Sequence, residues 1–184
     1  MAIAVILALG AALSYGVSDF FGGTAATRLR VIPTTLISYG AGTVAYAVLM
    51  LATGGQWSIE VVFWGSVAAV AAVLGFVTFY AAMAVGPMSL VSPLIAVVSS
   101  GIPVAAAVAL GERLSAWAWL GVVMALVAAV LISLQPRSGG RRLSLRAGIL
   151  SVVSAVSLGS AVIALDRAPI ESASISGFVE IALG

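Results

Sequence analysis

Long apolar runs separated by short polar breaks make up most of this chain. A helix needs roughly 20 mostly uncharged residues to cross the hydrocarbon core of a bilayer, because each helical residue rises only about 1.5 Å. Such runs lie at residues 2–23, 32–53, 61–111, 116–134 and 147–165, and a shorter one begins at residue 172. The pattern predicts an all-α fold, a polytopic transmembrane helix bundle.

The uncharged run at residues 61–111 is too long for one crossing and is divided by Gly86-Pro87. Proline disfavours a helical conformation in the residue before it, so this pair ends one helix and allows another to start. Gln135-Pro136 ends the fifth helix in the same way. The sequence therefore predicts six helices long enough to span a bilayer and a seventh that is too short for a full crossing.

The composition supports the membrane assignment. Hydrophobic residues make up 62% of the 184 residues and charged residues 8%, whereas soluble domains are about half apolar and a quarter charged. A water-soluble fold could not bury that much apolar surface, so we expect the lipid bilayer to be the main partner. These features predict a multi-pass protein of the cell (cytoplasmic) membrane.

The arginines indicate a membrane orientation and give no sign of nucleic-acid binding. A nucleic-acid surface needs basic residues clustered on a solvated face, whereas these arginines occupy short loops between apolar runs. Six of the eight follow the first, third or fifth helix, which by the positive-inside rule puts the N-terminus outside the cell. The six are Arg28, Arg30, Arg137, Arg141, Arg142 and Arg146.

Three residue types with distinctive chemistry do not occur in the sequence: Cys, His and Lys. Without Cys and His, the usual protein ligands of zinc, haem and iron are lacking. Without His and Lys, neither a Ser–His nucleophile pair nor a lysine Schiff base can be built. We therefore predict no cofactor, no metal site and no catalytic residue. An intramembrane enzyme would have to use carboxylates and hydroxyls alone.

The chain contains a weak internal repeat. A shift of 143 residues superimposes the first predicted helix on the sixth. The matched pairs are Leu7 with Leu150, Ala12 with Ala155, Ser14 with Ser157, and Gly16 with Gly159. A unit of five helices crosses the membrane an odd number of times, so its second copy enters inverted, as in many secondary transporters. We predict a five-helix repeat at residues 1–138 and the start of an inverted second repeat, helix six and part of helix seven, at 139–184.

Several short motifs resemble one known family. Residues 80–94, the Gly101-Ile-Pro-Val sequence and residues 110–115 resemble the EamA repeat of the drug/metabolite transporter superfamily, and residues 14–23 are similar to the first helix of one of its branches. The resemblance implies ten helices in two halves, so this chain would hold one complete half and the start of the other. It also implies transport of a small molecule, and an N-terminus inside the cell, opposite to the arginine distribution.

Asp19 in the first helix is the leading candidate for binding a solute or a proton. Asp19 belongs to one helix face, whose members recur at spacings of three and four residues. The other members are Ala11, Ser14, Tyr15, Ser18 and Gly22. A carboxylate within the bilayer is costly, and is by default a candidate for proton coupling or substrate contact. The alternative is that Asp19 lies at headgroup depth and is simply solvated. Glu180 in the seventh helix is a second such acid, unless this end of the chain forms no genuine helix.

Further candidates lie in the third and fourth helices. Tyr80 is the aromatic residue that we expect in a cavity. In the fourth helix, Ser92, Pro93, Ser99 and Pro103 put hydroxyls and unpaired carbonyls at membrane depth. These groups would either face the substrate or pack against neighbouring helices, and the sequence favours neither role.

The leading functional hypothesis is a secondary transporter, or a truncated part of one. It would move a small metabolite or drug-like solute by ion or proton coupling or by exchange, through a cavity lined by helices one, three and four. The alternative is a non-transporting membrane scaffold, with an intramembrane enzyme third. The sequence leaves open the solute, the direction of transport, the coupling ion and assembly into a homo-oligomer.

Overall fold

Seven α-helices make up the described part of the chain in a computed structural model that covers residues 2–54, 56–133 and 144–184. The helices are α1 (Ala2–Leu29), α2 (Val31–Thr53), α3 (Ile59–Val85), α4 (Met88–Ala109), α5 (Ala116–Ser133), α6 (Leu145–Asp166) and α7 (Ala173–Leu183). A short 3-10 helix at Ile170–Ser172 leads into α7, and the described residues contain no strand. The all-α prediction is therefore confirmed.

The helix boundaries agree with the prediction except at the end of α1. The break between α3 and α4 falls at Gly86, which is extended as expected for the residue before a proline. α1 continues past Gly23, and Arg30, with a φ of 80°, then turns the chain sharply into α2. A positive φ is unfavourable for a residue that carries a side chain. The predicted repeat boundary at 138 and 139 and the predicted end of the fifth helix at 134 lie outside the described residues.

α3 lies at the centre of the bundle, packing against α1, α2, α6 and α7, and α6 also packs along α4. The interior consists largely of small residues, among them Ala68, Ala72 and Ala161. Most large apolar side chains lie on the outside, with Leu51 80% exposed and Ile59 91% exposed, although Phe79 and Met83 are buried. This order is the reverse of a water-soluble fold. It suits lipid surroundings, where small residues let helices approach closely.

The lengths of the helices fit a multi-pass membrane protein. Within the described residues, α2, α3, α4 and α6 are each long and apolar enough to cross a membrane. α1 has 28 residues, more than the roughly 20 that a crossing needs, whereas α5 and α7 are apolar but shorter. Several helices of this chain are therefore candidate membrane spans, as the apolar runs predict.

Gly75 lies in the contact between α3 and α6. A Cβ on Gly75 would lie 2.6 Å from Leu158 Cδ2, so a larger residue would force the helices apart. Across the same contact, the Ser154 hydroxyl donates a hydrogen bond to the Gly75 carbonyl oxygen at 2.9 Å. Gly65, also on α3, meets Val179 of α7 in a similar way. Small residues on α3 thus set how closely α6 and α7 approach it.

Candidate functional site

An acid and a hydroxyl link α1 to α4. The Ser92 hydroxyl donates a hydrogen bond to Asp19 Oδ2 at 2.7 Å, a short distance typical of a carboxylate acceptor. Asp19 is half-buried, whereas the adjacent Ser18 and Phe20 are exposed, and Pro93 beside Ser92 is also half-buried. Within the described residues, no hydrogen bond reaches the other carboxylate oxygen, Oδ1. The pair therefore joins two helices and leaves one acceptor of the carboxylate free.

Two glycines seat α1 against α3 beside this pair. A Cβ on Gly22 would lie 2.8 Å from Tyr80 Cε1, and a Cβ on Gly23 would lie 2.8 Å from the Met83 sulfur. Gly22 follows Asp19 by three residues, so the two lie on the same helix face about one turn apart. Tyr80 therefore contacts α1 at Gly22, about one helical turn along α1 from Asp19.

Tyr80 connects α3 to both α1 and α2. Its side chain is only 4% exposed and packs edge-on against Phe79, with 5.4 Å between the ring centroids. Its hydroxyl lies 3.1 Å from the Ser38 hydroxyl oxygen on α2, and either group can be the donor. The sequence singles out Tyr80 but not Ser38, because a serine in an apolar helix commonly bonds to its own backbone.

We expect Tyr80→Phe to lower the free energy of unfolding by about 1 kcal/mol, because the ring stays packed and only a hydrogen-bonding hydroxyl is lost. Ser38→Ala should cost a similar amount. The double variant should cost clearly less than the sum, since both changes remove the same bond. Unfolding in detergent micelles followed by circular dichroism measures these energies. Strictly additive effects would contradict the hydrogen bond.

Ser99 and Pro103 lie where α4 packs on α6. Proline has no N–H, so Pro103 leaves the Ser99 carbonyl without its usual helical donor. This carbonyl oxygen lies 2.9 Å from where a Cβ on Gly159 would be, so the glycine lets α6 approach it. The Ser99 hydroxyl donates back to the Ala96 carbonyl at 3.2 Å. These contacts favour a packing role for Ser99 and Pro103. The sequence alone does not decide between packing and substrate binding for these two residues.

The other three candidates on α1 form no hydrogen bond with the Asp19–Ser92 pair in the described structure. Ser14 donates to the Gly10 carbonyl at 2.9 Å, Tyr15 is 71% exposed, and Ser18 is exposed. Within the described residues, none of the three forms a hydrogen bond to another helix. Their assignment to a solute pathway therefore stays a prediction from the sequence.

A second acid faces α2 from α7. Glu180 is half-buried, and its carboxylate lies close enough to Tyr39 and Tyr46 to interact electrostatically with both. Glu180 is one of the two acids that the sequence singles out, whereas neither tyrosine is. Their spacing of seven residues, with Gly42 and Thr43 between them, is the signal that could have marked one contact face of α2.

The exterior of large apolar side chains and the interior of small ones define a polytopic membrane protein with a carboxylate between two of its helices. The EamA-like transporter family matches residues 2–134, more than half of the chain, and the chain belongs to this family. The resemblance seen in the sequence is confirmed over that range. The chain matches no curated protein and no solved structure. Members of this family are generally transporters and not enzymes.

Proposed function

We propose that this chain is a secondary transporter, or part of one, that moves a small metabolite or drug-like solute across the cell membrane. The proposal rests on the Asp19–Ser92 pair, which holds a carboxylate between α1 and α4 inside the region matched by the transporter family. A carboxylate within the bilayer is costly, and marks a path for a solute, an ion or a proton. Membership of a transporter family supports a role in transport for this carboxylate.

The charges of the helices favour a solute with a cationic or hydrogen-bond-donating group. Asp19 and Glu180 lie within helices, whereas Arg28, Arg113 and Arg167 lie at helix ends or in loops. An anion that entered beside either acid would meet a like charge, and the repulsion is strong where water is scarce. The free oxygen of Asp19 can instead accept a hydrogen bond from the solute or hold a coupling proton.

We further propose an inverted repeat, with a first unit at residues 1–138 and the start of a second at 139–184. In this scheme α6 corresponds to α1, through matched pairs such as Gly16 with Gly159. Gly159 is buried against α4, whereas Gly16 is exposed and nothing lies within 4 Å of a Cβ at that position, so the two matched glycines have different surroundings. Because the second unit enters the membrane inverted, α1 and α6 would line opposite halves of one cavity.

Flux measurements in proteoliposomes test the proposed transport. The purified chain is reconstituted, and uptake of radiolabelled tetraethylammonium, leucine and glucose is measured under imposed proton, sodium and potassium gradients. We expect saturable, gradient-dependent uptake of the cationic probe above the level in protein-free liposomes. No flux of any probe under any of these gradients would contradict transport and favour a non-transporting scaffold.

A further inference from the structure

Glu180 lies on the face of α7 that packs against α2. Gly177 lies on the same face, three residues before Glu180, and Ile181 and the C-cap residue Gly184 also contact α2. A Cβ on Gly177 would collide with the Tyr46 ring, and one on Gly184 would collide with the Tyr39 ring. Because these two positions carry no side chain, the two tyrosine rings can pack against α7. They do so on either side of Glu180 along the helix. The carboxylate is held between α2 and α7.

Two polar groups at this contact, the Tyr39 hydroxyl and the Glu180 carboxylate, lack hydrogen-bond partners among the described residues. The Tyr39 hydroxyl oxygen is buried and has no hydrogen-bond partner in the part of the chain that the structure describes. The Glu180 carboxylate forms no hydrogen bond or ion pair within the described part of the chain, and the described sequences of α2, α3 and α7 contain no basic residue. A buried polar group without a partner is unfavourable, and a buried charge more so. Within the described residues, the contact therefore has unused acceptors, and its helices carry no positive charge.

Other titratable groups face this contact without supplying a positive charge. Tyr80 of α3 is close enough to Tyr39, and Tyr15 of α1 close enough to Tyr46, for electrostatic interaction. The Tyr39 ring also packs edge-on against Phe76 of α3, with 5.8 Å between centroids. The titratable groups near this contact on α1, α2 and α3 are thus tyrosines, which supply no positive charge.

We propose that Glu180, Tyr39 and Tyr46 form a binding site for a protonated organic amine, made of residues separate from the Asp19–Ser92 pair. The carboxylate would accept a charge-assisted hydrogen bond from the ammonium group, and the tyrosine hydroxyl oxygens would accept further ones. The electron-rich faces of the rings would attract the same cation. This inference rests on the proposed transport function in one respect, since it takes the bound amine to be a transported solute.

Binding to the purified chain in lipid nanodiscs tests this site without requiring transport. Isothermal titration calorimetry with benzylammonium as the probe gives the dissociation constant, and benzyl alcohol serves as the uncharged analogue. We expect benzylammonium to bind and benzyl alcohol to show no saturable binding. Glu180→Gln should weaken benzylammonium binding by about a hundredfold, because glutamine keeps the shape of the glutamate side chain but removes its negative charge.

Two further variants separate a binding role from a folding role. Tyr39→Phe keeps the ring and deletes the hydroxyl, and should weaken binding by about tenfold. Glu60→Gln, which changes an exposed acid at the start of α3, is the matched control and should leave the dissociation constant unchanged. Circular dichroism and a single size-exclusion peak verify that each variant is folded.

The results distinguish this site from transport itself. Unchanged benzylammonium binding in a folded Glu180→Gln variant would overturn the proposed site, as would equally tight binding of benzyl alcohol. Charge-dependent binding that requires Glu180, without any flux in proteoliposomes, would keep the site and contradict transport. Flux together with Glu180-independent binding would keep transport and overturn the site.

Discussion

Asp19→Asn is expected to reduce the gradient-driven uptake of a cationic solute by about a hundredfold. Asparagine has nearly the same size and keeps an oxygen acceptor for the Ser92 hydroxyl, so the contact between α1 and α4 should survive. The negative charge that would attract a cation or hold a coupling proton is lost. The measurement is the initial uptake rate in proteoliposomes with matched protein content.

Two other variants make this result specific. Asp166 is an exposed acid at the end of α6, and Asp166→Asn should change the rate less than about twofold, because a solvated charge at the membrane surface contributes little. Ser92→Ala removes one hydrogen bond to the carboxylate but keeps its charge, and should reduce uptake by about tenfold. A wild-type rate in Asp19→Asn would exclude a role for this carboxylate in transport.

The positions of most helices could be predicted because a helix that crosses a bilayer needs a long, mostly uncharged stretch of sequence, which is easy to recognise. The end of α1 could not. Gly22-Gly23 in the sequence indicates a break, since each glycine inside a helix costs roughly 1 kcal/mol relative to alanine. In the folded chain these two glycines lie inside the helix, because they allow contact with Tyr80 and Met83. That compensation depends on a neighbouring helix, which local sequence does not reveal.

The candidate site, like the helices, could be predicted from the sequence only in part. Asp19 and Ser92 could each be selected, because a carboxylate and a hydroxyl next to a proline are unusual at membrane depth. Their hydrogen bond could not be predicted, since these helices are apolar on all sides and carry little periodic signal of which faces meet. Ser38 and Tyr39 were missed for the same reason. A serine or tyrosine on a membrane helix has several common roles that the sequence does not distinguish.

Gly75→Leu is expected to lower the free energy of unfolding by about 3 kcal/mol, at the upper end for overpacking. The new side chain would occupy the space filled by Leu158, and the helices would have to separate. Separation would also break the hydrogen bond from Ser154 to the Gly75 carbonyl, leaving a buried hydroxyl without that partner. Unfolding in mixed micelles of dodecylmaltoside and dodecylsulfate, followed by circular dichroism, measures the change.

Gly121→Leu on α5 is the matched control, because nothing lies within 4 Å of a Cβ at that glycine. The same substitution there adds apolar surface where the helix faces outward, and replaces glycine by a better helix former, so stability should stay the same or rise slightly. Equal destabilisation by both changes would indicate a general intolerance of leucine. A stable Gly75→Leu variant would contradict close α3–α6 packing, and with it the geometry that keeps α6 beside α3 and α4.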